Sequence, residues 1–247
     1  GTIGGSVSLN ALTITNTADA DFLGITAKSL TQVNGQGETF FGGPLQIGTN
    51  GVSLTGNAFD FVNSVSVAGG GFSITNRGLF TQEPLADMTI VGNFLQDGKG
   101  SSSIGADVIS SGSITWSSTI SLIDGVLWDT ATLLGGNIQT SSRIDSTASN
   151  PLTITAGDSV VLGGVIGTAS TGVGSVSISG STASIRSIYT RGSTISITPP
   201  ITLNAPAVIS STSSGNGLGA SITCGSTIDG FFDLQMNVGT TGILTVG

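Results

Sequence analysis

The sequence predicts an all-β fold: a right-handed parallel β-helix, or β-solenoid, with residues 1–247 forming a single domain of about eleven coils. Three observations point there. A short signature recurs, Ser or Thr, an aliphatic residue, then Ser or Thr, at Leu12-Thr13-Ile14-Thr15, Phe72-Ser73-Ile74-Thr75, Ser113-Ile114-Thr115, Leu152-Thr153-Ile154-Thr155, Ser177-Ile178-Ser179, Ser196-Ile197-Thr198 and Ser221-Ile222-Thr223. Alternate residues of a strand face opposite sides, so each copy sets aliphatics against hydroxyls. From Ile154 the copies return at Ile178, Ile197 and Ile222, after 24, 19 and 25 residues, the length of one turn of a strand-built repeat. Finally, 39 glycines interrupt nearly every window long enough for a helix, and apolar spacing is two rather than three to four.

The expected strands follow in order. They are Val7–Leu9, Leu12–Ile14, Leu45–Ile47, Val52–Leu54, Phe59–Phe61, Val65–Val67, Phe72–Ile74, Met88–Ile90, Ile114–Trp116, Ile120–Leu122 and Val126–Trp128. The second half adds Leu152–Ile154, Val160–Leu162, Val176–Ile178, Ile195–Ile197, Ile201–Leu203, Ala220–Ile222, Phe232–Leu234 and Leu244–Val246. Gly, Asn, Ser and Pro between them supply turn conformations. A β-sandwich is the structural alternative. It calls for Asn-Gly or Asp-Gly turns alternating regularly with strands, and Asn34-Gly35, Asn50-Gly51, Asp97-Gly98, Asp124-Gly125, Asn216-Gly217 and Asp229-Gly230 do not alternate so. Coils of about 20–25 residues stacked about 4.8 Å apart give a rod about 50 Å long. Phe40, Phe41, Phe59, Phe61, Phe72, Trp116 and Trp128 are candidates for interior aromatic stacks or for covering the ends.

Composition narrows the function. Only 8% of residues are charged and the net charge is −8, from six basic and fourteen acidic residues. Without clustered Lys and Arg the chain is not expected to bind nucleic acid or to adhere to anionic lipid. The longest apolar stretch, residues 159–169, is broken by Gly163, Gly164 and Gly167, so no transmembrane segment is expected. Cys224 is the single cysteine, which leaves no intrachain disulfide; its simplest place is a small core position, with an intermolecular bridge along a fibre as the alternative. Low cysteine, few lysines and many hydroxyls suit a bacterial exported protein. No Asn-X-Ser/Thr acceptor occurs, and Gly1 begins the chain without Met or a signal-peptide pattern, as in a processed product or a segment of something longer.

Histidine is absent, which removes Ser-His-Asp and Cys-His systems, imidazole metal sites and the commonest general base. Structural zinc is excluded with it. Paired carboxylates are the remaining catalytic candidates: Asp19 with Asp21 on one strand face, Asp124 with Asp129 beside Trp128, and Asp229 with Asp233 around Phe231-Phe232. The lysines that would hold an anionic sugar, Lys28 and Lys99, lie far apart, and solvated turn formers explain the acids better. Gly69-Gly70-Gly71 lacks the rest of a calcium-binding β-roll nonapeptide, and Gly92–Gly98 with Lys99 misses the phosphate-loop spacing by one residue. Gly215–Gly219 reads as a loop. Thr13/Thr15 and Thr153/Thr155 suggest an ice-binding face only if such pairs form a regular ladder, and the outward positions vary too much for that. Arg186, Tyr189 and Arg191 form the densest basic-aromatic segment, either a ligand contact or an exposed turn between coils. No catalytic, cofactor-binding or metal-binding residue is assigned.

Two stretches resemble a known group. Residues 29–43, Ser-Leu-Thr-Gln-Val-Asn-Gly-Gln-Gly-Glu-Thr-Phe-Phe-Gly-Gly, followed by Gly51-Val52-Ser53-Leu54-Thr55-Gly56-Asn57, look like the repeat unit of very large bacterial β-strand-repeat surface proteins. Asp87-Met88-Thr89-Ile90 and Gly92-Asn93-Phe94-Leu95-Gln96-Asp97-Gly98 look like a later part of that unit. These proteins are similar in style to filamentous-haemagglutinin-like adhesins and autotransporter passengers. The resemblance covers mainly the first half of the chain and carries no catalytic residues. It implies export to the bacterial cell surface and a rod-like parallel β-helix. The expected function is non-enzymatic: an extracellular structural or adhesive solenoid, contacting a host surface, a neighbouring cell or a polysaccharide. Residues 1–9 and 240–247 continue the strand rhythm with no recognisable cap, as in a segment of a longer array or a subunit that stacks end to end into a filament. A polysaccharide-active β-helix enzyme is the remaining alternative.

Overall fold

The computed structural model describes residues 1–5, 7–133 and 135–247 and is a parallel β-solenoid. Twelve strands form sheet 1, so the chain completes eleven turns; eleven strands form sheet 2. The third side is a seven-stranded sheet up to Ile144–Ser146, a bridge at Ile166, and three further strands, Ile188–Tyr189, Ala207–Ser210 and Leu234–Asn237. Each strand pairs in parallel with its equivalents one coil away, which excludes a sandwich of antiparallel hairpins. Among the described residues the one helical turn is Ser213–Gly215.

The register is legible along a single column of sheet 1. Ile3, Ile25, Leu45, Val65, Met88 and Val108 stack in order, continued by Trp128, Ile154, Ile178, Ile197, Cys224 and Val246. The steps range from 19 residues (Ile178 to Ile197) to 27 (Ile197 to Cys224), wider than the repeat copies indicate. The last copy slips by two. Ile222 pairs with Ile195, and Cys224 takes the place below Ile197. A shift of two keeps every side chain on its own face, so periodicity alone cannot detect it. The signature is also not confined to one wall: Ile14, Ile74 and Ile114 lie on sheet 2, whereas Ile154, Ile178, Ile197 and Ile222 lie on sheet 1.

Inside, aromatics run through the first seven coils. Phe41 and Phe61 stack at 4.6 Å, Phe72 and Phe94 at 5.7 Å, and Trp116 lies 4.6 Å from Phe94 and 5.4 Å from Trp128. From Leu152 on the core is aliphatic. Full burial of one such side chain contributes about 1.5–3 kcal/mol, and the stacking of identical positions places them in contact coil after coil. Phe40 departs from its expected interior place: it faces outward between Asp21 and Asp60, its ring folded over Gly42. Phe22, Phe80 and Phe94 join the stacks instead.

Several strands end on inward-facing amides. Leu30–Gln32, Phe80–Gln82 and Phe94–Gln96 each bury their glutamine, which disguises them as polar segments in the sequence. The buried amides serve the backbone at corners: Gln82 Nε2 donates to Ala86 O at 2.8 Å, and Gln96 Oε1 accepts from Ser118 N at 3.0 Å. Some expected strands move. Val7–Leu9 is not a strand; Leu9 alone bridges Ala27. Ala220–Ile222 becomes Ile222–Cys224, and Phe232–Leu234 becomes Leu234–Asn237, leaving Phe231 and Phe232 exposed at a corner. Ser6, within the expected first coil, lies outside the described residues.

Gly69-Gly70-Gly71 finds its explanation at the corner between sheets 1 and 2. Gly51 and Gly71 adopt φ of 75° and 74°, and a Cβ on Gly51 would lie 2.6 Å from Gly71 O. Glycine is required by both the left-handed turn and the close stacking of coils.

Candidate functional site

The expected carboxylate pairs are not assembled as pairs. Asp21 faces outward on its strand, but Asp19 sits in the preceding corner and its Oδ1 accepts the N–H of Glu38 on the next coil at 2.9 Å. Asp129 is buried and turned into its own loop, accepting from Ala131 N at 2.7 Å and Thr132 N at 3.1 Å, while Asp124 accepts from Gly125 N at 2.7 Å. Asp229 and Asp233 are both exposed on opposite sides of the corner at residues 230–232. The acids are corner fittings. Asp87 Oδ1 accepts from Asp107 N, and Asp107 Oδ1 accepts from Leu127 N at 2.8 Å, each reaching one coil onward.

A different acidic group is formed on the third side. Glu38, Asp60 and Glu83 follow one another by 22 and 23 residues, one coil each, and the fold sets them diagonally across neighbouring strands. Burial, then the charges of Glu83 and Glu38, push the Asp60 carboxyl up to about 6. The signal in the sequence was the coil-length spacing rather than adjacency. Among the described residues no group of three or more Cys, Asp or Glu is placed to hold a metal ion.

The folded chain holds the Asp60 proton more tightly than the unfolded chain, whose value is near 3.8. Stability linked to that proton is therefore complete below about 3.8 and lost as pH rises through about 6. Asp60→Asn removes the penalty at neutral pH. It is expected to stabilise the protein by about 1 kcal/mol at pH 7.5, after allowance for solvent screening at a partly exposed site, with the gap closing by about pH 4. Thermal melts of both proteins at the two pH values check this, and a gap that persists unchanged in acid would contradict it.

The other sequence candidates resolve structurally. Cys224 is fully buried in the sheet 1 column, where burial pushes its thiol up, so it packs as a small apolar residue. Gly92–Gly98 spans the entry to Phe94–Gln96 and its corner, and Gly215–Gly219 leads into the strand Ile222–Cys224, with no helix following either. The outward hydroxyls are more regular than the sequence suggests: Thr153, Ser177, Ser196, Thr223 and Thr245 align in register on five successive coils of sheet 1. At the other end of that sheet a shallow open groove of about 350 Å³ runs beside Ser8, Thr26, Gln46 and Ser66.

Arg186, Tyr189 and Arg191 are divided by the fold. Arg186 is exposed at the corner before the third side, whereas Tyr189 and Arg191 alternate with the buried Ile188 and Thr190 and so face outward together. Arg191 Nε donates to Ser214 Oγ at 3.2 Å, and Ser214 Oγ donates to Ser170 O at 2.7 Å.

Comparison with known protein families, curated proteins and solved structures gives no match for this chain. The class defined by the fold is the parallel β-solenoid. No helix among the described residues is long and apolar enough to cross a membrane.

Proposed function

We propose that the chain is a non-enzymatic structural or adhesive β-solenoid of the bacterial cell exterior. The observation that carries this reading is the uninterrupted ladder of eleven turns, whose acids are spent largely on capping backbone groups of the next coil rather than converging on a groove. Such a rod presents long, weakly charged walls, suited to spacing and to contact over area. The resemblance of residues 29–57 and 87–98 to bacterial surface repeats favours export. Antibody labelling of intact against permeabilised producing cells tests it: labelling of intact cells is expected, and signal confined to permeabilised cells would overturn it. Release of new reducing ends or unsaturated products from a panel of bacterial and plant polysaccharides would favour the enzyme reading instead.

A second reading, end-to-end stacking, is favoured by the terminal coils. Ile3, Leu12, Ile14 and Phe22 are only partly covered at one end; at the other Leu244 and Val246 are 45% and 52% exposed on a strand paired on one side. Sedimentation of the purified chain separates the cases. Assembly gives species far above 24.4 kDa, and a monodisperse particle near that mass would sink the filament.

A further inference from the structure

We propose that Tyr189 and Arg191 form a binding site for a carboxylated sugar on the third side of the solenoid. The proposal rests on the adhesive reading and names the ligand class. Arg191 is partly buried and makes no ion pair among the described residues. A guanidinium withdrawn from water without a counter-charge is costly to keep, so an external anion is its natural complement. Its Nε is committed to Ser214 Oγ, and the two terminal nitrogens have no protein partner, leaving the planar fork that grips a carboxylate through two parallel hydrogen bonds.

The site is held from three successive coils. Arg191 N donates to Val173 O at 2.9 Å and Gly192 N to Ser211 O at 2.8 Å, and the buried Ser213 donates its hydroxyl to Thr190 O at 2.9 Å. Ser214 N donates to Ala169 O at 2.8 Å, tying the loop of the coil above to that of the coil below. In that lower loop Thr168 and Thr171 share a hydrogen bond of 2.7 Å between hydroxyls. Hydroxyls therefore flank a pinned guanidinium, and little ordering remains to be done when a ligand arrives.

Tyr189 supplies the apolar half. Its neighbours along the axis are Ser210, in register on one side, and Gly167, next to the Ile166 bridge, on the other. With no bulky side chain on either flank its ring is open to the C–H face of a pyranose, while the phenolic end stays polar. An aromatic face and a carboxylate fork two residues apart on one strand suit an acidic saccharide better than a neutral one or a free anion.

Isothermal titration of the full chain with an oligogalacturonate, and with its fully methyl-esterified form, tests the site. Wild type is expected to bind the free acid and to bind the ester at least about tenfold more weakly, since each ester removes the charge-assisted contact. Arg191→Gln and Arg191→Lys are each expected to lose about tenfold or more, the second because it keeps the charge without the fork, while Arg186→Gln leaves binding unchanged. Tyr189→Ala is expected to weaken both forms. Circular dichroism confirms the fold of each variant, and the ester comparison on wild type decides the matter if one fails to fold. No binding of the free acid, equal binding of the ester, or undiminished affinity in the Arg191 variants would overturn the site. Failure of the adhesive reading shows separately, as absence of the protein from the outside of cells.

Discussion

Trp116→Ala is expected to lower stability by about 3–5 kcal/mol, more than any surface change in this chain. Trp116 is fully buried, lies between Gln96 and Thr140 in its column, and contacts Phe94, Phe80 and Trp128 across ring distances of 4.6, 6.1 and 5.4 Å. Truncation removes the shared ring of three stacks at once, and the backbone of coils above and below cannot collapse into the gap without breaking register. A solenoid adds a second effect. Each coil touches only its neighbours, so a defect near the middle weakens the coupling between the two halves and should broaden or split the transition. Urea titration followed by far-UV circular dichroism reads both. Leu95→Ala, on the outward side of the strand before it, is the comparison; equal losses for the two would show that Trp116 is not a core residue.

Asn76→Ala is expected to cost about 2–4 kcal/mol although it deletes no apolar surface. The Asn76 side chain is fully buried at the corner where sheet 2 gives way to the third side. Its Nδ2 donates to Gly78 O at 2.6 Å and Ser101 O at 3.3 Å, and its Oδ1 accepts from Gln96 Nε2 at 2.7 Å. Gln96 Oε1 then accepts from Ser117 N and Ser118 N, which carries the network across three coils. Alanine leaves those groups buried without partners, at a cost larger than the net value of the bonds themselves. The next coil is shaped around this amide. A Cβ on Gly98 would lie 2.2 Å from Asn76 Oδ1, and one on Gly100 would lie 1.6 Å from Gly78 O. A double-mutant cycle with Gln96→Ala should return a coupling of about 1–3 kcal/mol, and additive losses would mean the two amides act independently.

Those two residues mark the boundary of what the sequence makes legible. Triplets with an aliphatic or aromatic residue at both inward positions, such as Val65–Val67, Ile114–Trp116 and Ile195–Ile197, announce themselves by period two. Triplets with one inward Gln or Ser, such as Phe94–Gln96 and Ser102–Ile104, do not, because only the finished corner supplies the partners that make a buried amide or hydroxyl acceptable. Coil number follows from length and average period; register does not, since Ile222 and Cys224 satisfy the same parity. Phe40 was misplaced for a related reason. In Phe40-Phe41 both residues are equally apolar, and only the strand's phase decides which one faces in. The acids mislead in the opposite sense: neighbours in sequence, Asp19 and Asp21, point to different duties, while Glu38, Asp60 and Glu83, each a coil apart, share one electrostatic environment.

The direction of the backbone hydrogen bonds has a mechanical consequence. In every sheet they run along the rod axis, joining each coil to the next. Traction applied to the two ends of the chain therefore falls first on the outermost coil, whose bonds part while those further in remain unloaded. Extension then proceeds as a sequence of yields, each releasing a loop of some twenty residues, roughly 70 Å of slack at about 3.5 Å per residue. A tether with that behaviour lengthens under sudden load and dissipates work at each step, where a single cooperative globule would hold and then fail at once.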